Sequence, residues 1–253
     1  MTAKRMRTKL LPYLSEGLAT LALCLWGILI LQYWRSGKLG LLIHPNYYGL
    51  TLAAGCFLLM LTSLQILKLW RRRVPMRSQH LSLLSPPVMS GIMLTAALIG
   101  LLVTPRPFTS QTAIQRGLQD KTMVTRASPQ AFRTTSQPEN RTLLEWIRTL
   151  DVYPEPDAYA GQKVNVDGFV VYPEDLSDNY FTLTRFVISC CAADAYPVGL
   201  PVKLKQSRKT YAVDSWLAIQ GEMVTETLNG QRQLVIQAQT LKSIPEPDNP
   251  YYY

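Results

Sequence analysis

The chain has 253 residues, of which 47% are hydrophobic and only 17% charged, with a formal net charge of +9 and a mean hydropathy of +0.03. Its abundance of Leu, Ile, Val and aromatics excludes a disordered chain, and four cysteines over this length exclude a small disulfide-stapled scaffold. The averages join two unlike parts: residues 1–105 carry 11 Lys/Arg and one acid, Glu16, whereas residues 106–253 carry 15 Lys/Arg and 16 acids. The basicity belongs to the apolar part, so it reads as membrane topology before nucleic-acid binding.

Three apolar stretches follow in chain order, at about Tyr13–Trp34, Tyr48–Trp70 and Pro86–Val103. The first two exceed the roughly 20 helical residues that cross about 30 Å of hydrocarbon, and the third is marginal. Ser85 is placed to cap the third, Pro86 and Pro87 suit its first turn, and Pro105 and Pro107 stop it. A signal peptide is the rival reading of the first stretch, but no small-residue cleavage pattern follows Gln32-Tyr33-Trp34-Arg35, which favours a retained helix. The Lys/Arg of the N-terminus and of the loop holding Arg71, Arg72, Arg73 and Arg77 place both in the cytoplasm. If the third stretch spans, everything after Pro105 lies outside the cytoplasm.

These spans hold no carboxylate or histidine near mid-depth, which argues against an autonomous pump or channel. Gly49/Ala53, Thr51/Gly55 and Ala96/Gly100 are spaced four apart and allow close helix approach, either among these helices or against another membrane protein.

Residues 106–138 read as a polar linker, with local helix around Ile114–Leu118, and residues 139–253 as a folded domain. That domain opens with an amphipathic helix over Glu139–Leu150, in which Leu143, Ile147 and Leu150 share a face beside Leu144 and Trp146. The period then becomes two, giving strands at Lys163–Tyr172, Tyr180–Cys191, Leu200–Leu204, Trp216–Val224 and Arg232–Ile244. Asn229-Gly230 marks a hairpin between the last two. The expected fold class is a membrane-anchored α + β chain: about three N-terminal transmembrane helices, then a small OB-like all-β barrel. A sandwich is the alternative. The strand–Gly–strand form of GQKVNVDGFV and WLAIQGEMV suits strands that bend. An OB-like barrel raises nucleic-acid binding, but residues 149–253 carry 8 Lys/Arg and 13 Asp/Glu, the wrong sign for a phosphate backbone. No nucleic-acid partner is expected, and Lys203, Lys205, Arg208 and Lys209 read as a solvated loop. The closing Tyr251-Tyr252-Tyr253 reads as an interfacial anchor or a tail.

The candidate site is Cys190, Cys191 and Asp194, within RFVISCCAADAYP. Two thiolates and a carboxylate suit a divalent transition metal such as zinc, although three ligands are one short of a closed tetrahedral site and the domain has no histidine; His44 and His80 belong to the membrane part. Two other readings stand beside it: cysteines buried in the core, and a labile vicinal disulfide with a redox role. The domain has no Ser/His/Asp set and no phosphate-cradling glycine loop, so no enzymatic activity is expected. Asp175/Asp178 and Glu155/Asp157 read as solvated acid pairs.

With these features the chain resembles the YcgQ-like bacterial membrane proteins, described as permease subunits. The likeness rests on the helices–linker–β-domain order and on RFVISCCAADAYPVGLPV (Arg185–Val202), flanked by GQKVNVDGFV and WLAIQGEMV. It implies an integral membrane permease of the YcgR/YraQ type as partner, a multi-pass location in the bacterial inner membrane with the C-terminal domain outside, and a metal-linked transport role. Carried over by residue, it points to Cys190, Cys191 and Asp194, with Arg185 in support. The family's His-rich loop between the second and third spans is reduced here to His80. The leading expectation is an accessory permease subunit whose outer domain binds or hands over a small solute or metal ion. The alternatives are a membrane-anchored binding or scaffold module with structural cysteines, and a thiol-redox protein.

Overall fold

The computed structural model describes residues 2–71, 85–118 and 137–253. Arg72, Arg73, Arg77, His80 and residues 119–136 of the expected linker lie outside the described residues. The chain forms two compact units, Met1–Arg106 and Pro107–Tyr253.

Among the described residues, the first unit contains three α-helices, α1 (Thr2–Arg35), α2 (Tyr48–Trp70) and α3 (Pro86–Leu102). Among the described residues, two segments are long and apolar enough to cross a membrane: Glu16–Arg35, of mean hydropathy 1.7, and Pro45–Trp70, of 2.0. The third expected span is a helix of 17 residues. At 1.5 Å per residue that is about 26 Å, short of the hydrocarbon thickness. Only 11% of the apolar window in α2 is buried within the unit. Leu50, Phe57, Met60, Leu64 and Leu67 face outward.

Close backbone approach holds α1 to α2. A β-carbon on Gly27 would lie 2.8 Å from the Leu59 side chain and 3.2 Å from the Gly55 carbonyl oxygen. Only small residues permit such a crossing. Of the expected small-residue positions, Gly55 and Gly100 sit at helix contacts, Gly55 against Ile30 and Gly100 against Leu29. Gly49 meets nothing within 4 Å. Polar side chains add fixed points: the Thr20 hydroxyl donates to Gln65 Oε1 at 2.7 Å, and Trp26 Nε1 donates to the Met93 carbonyl at 3.1 Å. His44 caps the turn before α2, its Nδ1 accepting from the Asn46 N–H at 3.1 Å.

In the second unit a short helix, α4 (Ser110–Gln115), precedes α5 (Leu143–Val152) and six strands. Thr142 and Glu145 form a capping box at the start of α5. The Thr142 hydroxyl accepts the Glu145 N–H, and the Glu145 carboxylate accepts the Thr142 N–H. This satisfies two N–H groups that a helix start leaves open. Leu143 and Trp146 are fully buried against the sheet.

The strands are β1 (Lys163–Val171), β2 (Tyr180–Val187), β3 (Tyr196–Lys203), β4 (Trp216–Leu228), β5 (Gln231–Ile244) and β6 (Tyr251–Tyr252). They make one mixed six-stranded sheet in the order β1-β4-β5-β3-β2-β6, and β1 also pairs with β2. Most pairs are antiparallel; β3–β5 and β2–β6 are parallel. The core between them includes Val166, Val170, Phe181, Leu183, Ile219, Met223 and Ile236. Asn229 and Gly230 both have positive φ, 51° and 74°, as a two-residue type I′ turn requires. Gly221 lies at the bulge between β4 and β5, and Gly168 backs onto the Thr184 carbonyl, 2.7 Å from where a β-carbon would stand. Both are the glycines of the two strand–Gly–strand phrases.

Three sequence expectations change here. The third strand begins at Tyr196, earlier than Leu200, because Pro197 and Pro201 sit at register positions that pair with β2. The closing tyrosines are no free tail: Tyr251 pairs beside Phe186 and is buried. Part of the expected linker folds onto the second unit, since the Phe108 N–H donates to the Tyr251 hydroxyl at 3.0 Å and the Ser110 N–H to Asp214 Oδ1 at 2.6 Å.

Candidate functional site

The site occupies the loop that joins β2 to β3. The sequence period suggests a strand running to Cys191, but β2 ends at Val187. The Ile188 N–H is taken by the Tyr252 carbonyl at 2.9 Å. The Cys190 N–H donates to Asp194 Oδ2 at 2.8 Å and the Cys191 N–H to Asp194 Oδ1 at 3.2 Å. With those donors turned to a side chain, β2 is not continued, and the chain makes a single 3₁₀ turn over Ala192–Asp194. The Asp194 N–H returns to the Cys191 carbonyl at 3.0 Å.

Asp194 thereby folds both cysteines toward one point. Their sulfurs lie 3.7 Å apart, and one ligand atom from each of Cys190, Cys191 and Asp194 falls within 4.8 Å of the others. A tetrahedral ion with metal–sulfur bonds of about 2.3 Å would set two sulfurs about 3.8 Å apart. The observed spacing matches that edge and is far beyond the roughly 2.05 Å of a disulfide. The Asp194 carboxylate accepts backbone N–H groups of Ser189, Cys190 and Cys191, and the acceptor position that faces the Cys190 thiol is the one an ion would take. Cys190 is exposed and Cys191 half-buried, so the core-cysteine reading does not describe Cys190.

Electrostatics within the loop keep the proton on the Cys190 sulfur. The Cys190 thiol is pushed up to about 11 by its hydrogen bond to Asp194, then by Cys191 and burial. Burial works against ionising Asp194, but hydrogen bonds from the Cys190 side chain and from the backbone of Cys190, Cys191 and Ser189 outweigh it and hold its carboxyl below the usual range. A metal ion bound here would displace the thiol protons.

Arg185, expected as a support of the site, lies on β2 before the loop. Its guanidinium is buried and donates to Asp167 Oδ2 at 3.0 Å, the Asn249 carbonyl at 2.6 Å and the Pro250 carbonyl at 3.3 Å. It also lies 4.3 Å from the Tyr252 ring centre. It fixes the C-terminal strand, which in turn holds the Ile188 N–H, and so supports the loop through β6. The acid pairs are engaged as well. Asp157 pairs with Arg232, Asp178 with Arg208, and Asp175 accepts from the Asn229 amide. Of the basic cluster expected as a solvated loop, Lys203 instead ends β3 and pairs with Glu226.

Sequence reasoning missed Arg116. It follows α4, and its Nη1 donates to the Ala195 carbonyl at 2.5 Å and the Ala192 carbonyl at 3.2 Å. Nothing local marks it, because its partners are more than seventy residues away in a segment that reads as linker.

No curated protein matches the chain. Two family models do: the DUF1980 N-terminal domain over residues 18–119 and the DUF1980 C-terminal domain over residues 120–253. Helices followed by a sheet-bearing unit with the vicinal cysteines at a loop tip are thus the architecture of a chain that belongs to the DUF1980 family.

Proposed function

We propose that this chain is the accessory subunit of a bacterial inner-membrane permease, resembling YcgQ-like proteins, and that its second unit binds or hands over a divalent transition metal such as zinc through Cys190, Cys191 and Asp194. The observation that carries this reading is the 3.7 Å sulfur pair beside the Asp194 carboxylate. The outward apolar surface of α2 supports a lipid or membrane-protein environment. On this reading α3 completes a third, thin crossing, and the second unit lies outside the cytoplasm. The return of β2 to β1 in the order β1-β4-β5-β3-β2 supports an OB-like barrel as its fold. The helices dock on a channel-forming partner, since their spans carry no acid or histidine of their own at mid-depth.

The exposed, three-donor arrangement suits transfer better than permanent storage, because an open position lets an incoming donor take the ion. Exposure of Cys190 disfavours a purely structural role.

The test is metal content of the full chain purified in mild detergent, compared with the variant carrying Cys190→Ala and Cys191→Ala. About one equivalent of zinc in the first and none in the second is expected. Equal metal in both ends the metal reading, and purification without any polytopic permease ends the subunit reading.

A further inference from the structure

We infer that Arg116 is a positioning residue for the Cys190–Cys191–Asp194 site, locking the loop that carries its three ligand atoms. The inference rests on the metal reading of that loop and adds a residue to it. Arg116 is not a ligand. Its Nη1 donates to the carbonyls of Ala192 and Ala195, which bracket Asp194 on either side. The Asp194 carboxylate in turn holds the N–H groups of Cys190 and Cys191. The chain of constraint therefore runs from guanidinium to carbonyl pair, to carboxylate, to the two sulfurs.

The guanidinium is itself held. It lies 4.6 Å from the centre of the Phe108 ring. Phe108 is fixed by its N–H bond to the Tyr251 hydroxyl and by ring contacts to Phe186 and Tyr251, with centroids 5.0 and 5.6 Å apart. Hydrogen bonds from a charged donor are worth roughly twice a neutral one. The other charge-assisted bonds in this eight-residue connection come from the Asp194 carboxylate inside it, whereas Arg116 ties it to the segment before α5. Five N–H donors in a planar fork suit the bracketing of two carbonyls. A glutamine at this position lacks the reach and the charge.

Partners that orient metal ligands from one step behind typically matter by about 10- to 100-fold in affinity. The experiment titrates the full chain in detergent with Co(II), following thiolate-to-cobalt charge-transfer and ligand-field absorption, and then displaces it with zinc. Wild type, Arg116→Gln and Arg116→Lys are compared, with thermal unfolding of each metal-free protein alongside. Arg116→Gln is expected to bind about tenfold or more weakly with an altered ligand-field spectrum, and Arg116→Lys to recover part of the loss. Should Arg116→Gln fail to fold, Arg116→Met, which keeps the stem over Phe108 and removes the donors, is read the same way. A folded donor-less variant with wild-type affinity and spectrum overturns the positioning role while leaving the metal reading in place. A wild-type protein that gives no charge-transfer absorption overturns the metal reading, and this inference with it.

Discussion

Gly221 faces the Gln237 carbonyl so closely that a β-carbon on it would stand 2.2 Å from that oxygen. The contact is backbone to backbone at the bulge of the β4–β5 ladder, so no side chain can swing aside. Gly221→Ala is expected to destabilise the second unit by about 3 kcal/mol. Thermal unfolding followed by far-ultraviolet circular dichroism checks this, and an unchanged midpoint would contradict it.

Arg185 joins β2 to the C-terminal strand through the Asn249 and Pro250 carbonyls and pairs with Asp167. Arg185→Met leaves Asp167 partly solvated, since that side chain is 40% exposed. The loss is therefore expected at about 2 kcal/mol, below the cost of stranding a fully buried charge. The sharper readout is local. The Ile188 amide, now bonded to the Tyr252 carbonyl, should exchange hydrogen faster in the variant, and wild-type protection there would refute the link.

Glu226 sits between Lys203 and the Tyr180 hydroxyl. Burial opposes its ionisation, but the hydrogen bonds from Lys203 and Tyr180 win and lower its pKa. A carboxyl with a folded-state pKa below its unfolded value adds stability above the unfolded value and loses it as pH falls through the folded one. Glu226→Gln should thus cost about 1 kcal/mol at pH 7 and have little effect well below pH 4, where the wild-type group is protonated too. Tyr180 behaves oppositely: burial and Glu226 push it up to about 12, so its share persists at neutral pH and is lost as pH rises through that value. Melting curves of both proteins at neutral and acidic pH decide; parallel curves at every pH would sink the assignment.

Gly27 and Gly55 let α1 and α2 touch backbone to backbone, and Thr20 meets Gln65 along the same pair. Thr20→Cys with Gln65→Cys should cross-link under mild oxidation in membranes. Adding Gly27→Leu should abolish most of that cross-link, because the new side chain meets Leu59 and the Gly55 carbonyl. Undiminished cross-linking would mean that the helices do not pack through these glycines.

Much of this was legible in the sequence, for reasons of period and local chemistry. The strands from Lys163, Trp216 and the last hairpin announced themselves through alternation and Asn229-Gly230. Cys190, Cys191 and Asp194 were legible because they are close in sequence, so one turn suffices to gather them. What alternation does not encode is where a strand stops. Asp194 ends β2 by capturing two amides, and that depends on a side chain seven positions past Val187. The partners of Arg185 and Arg116 were equally hidden, since both lie across long sequence separations. The length of α3 was the reverse case: Pro86 and the Val103–Pro105 stretch set its limits, and the same limits leave it short of a full crossing.

The segment from Phe108 to Arg116 has a practical consequence for anyone dividing the chain. A soluble piece begun at residue 120, where the second family model starts, would discard the N–H groups that engage Tyr251 and Asp214 and the guanidinium on the loop carbonyls. It would also bare one face of Phe186. The natural cut lies before Pro107, and a piece begun there takes its own floor with it.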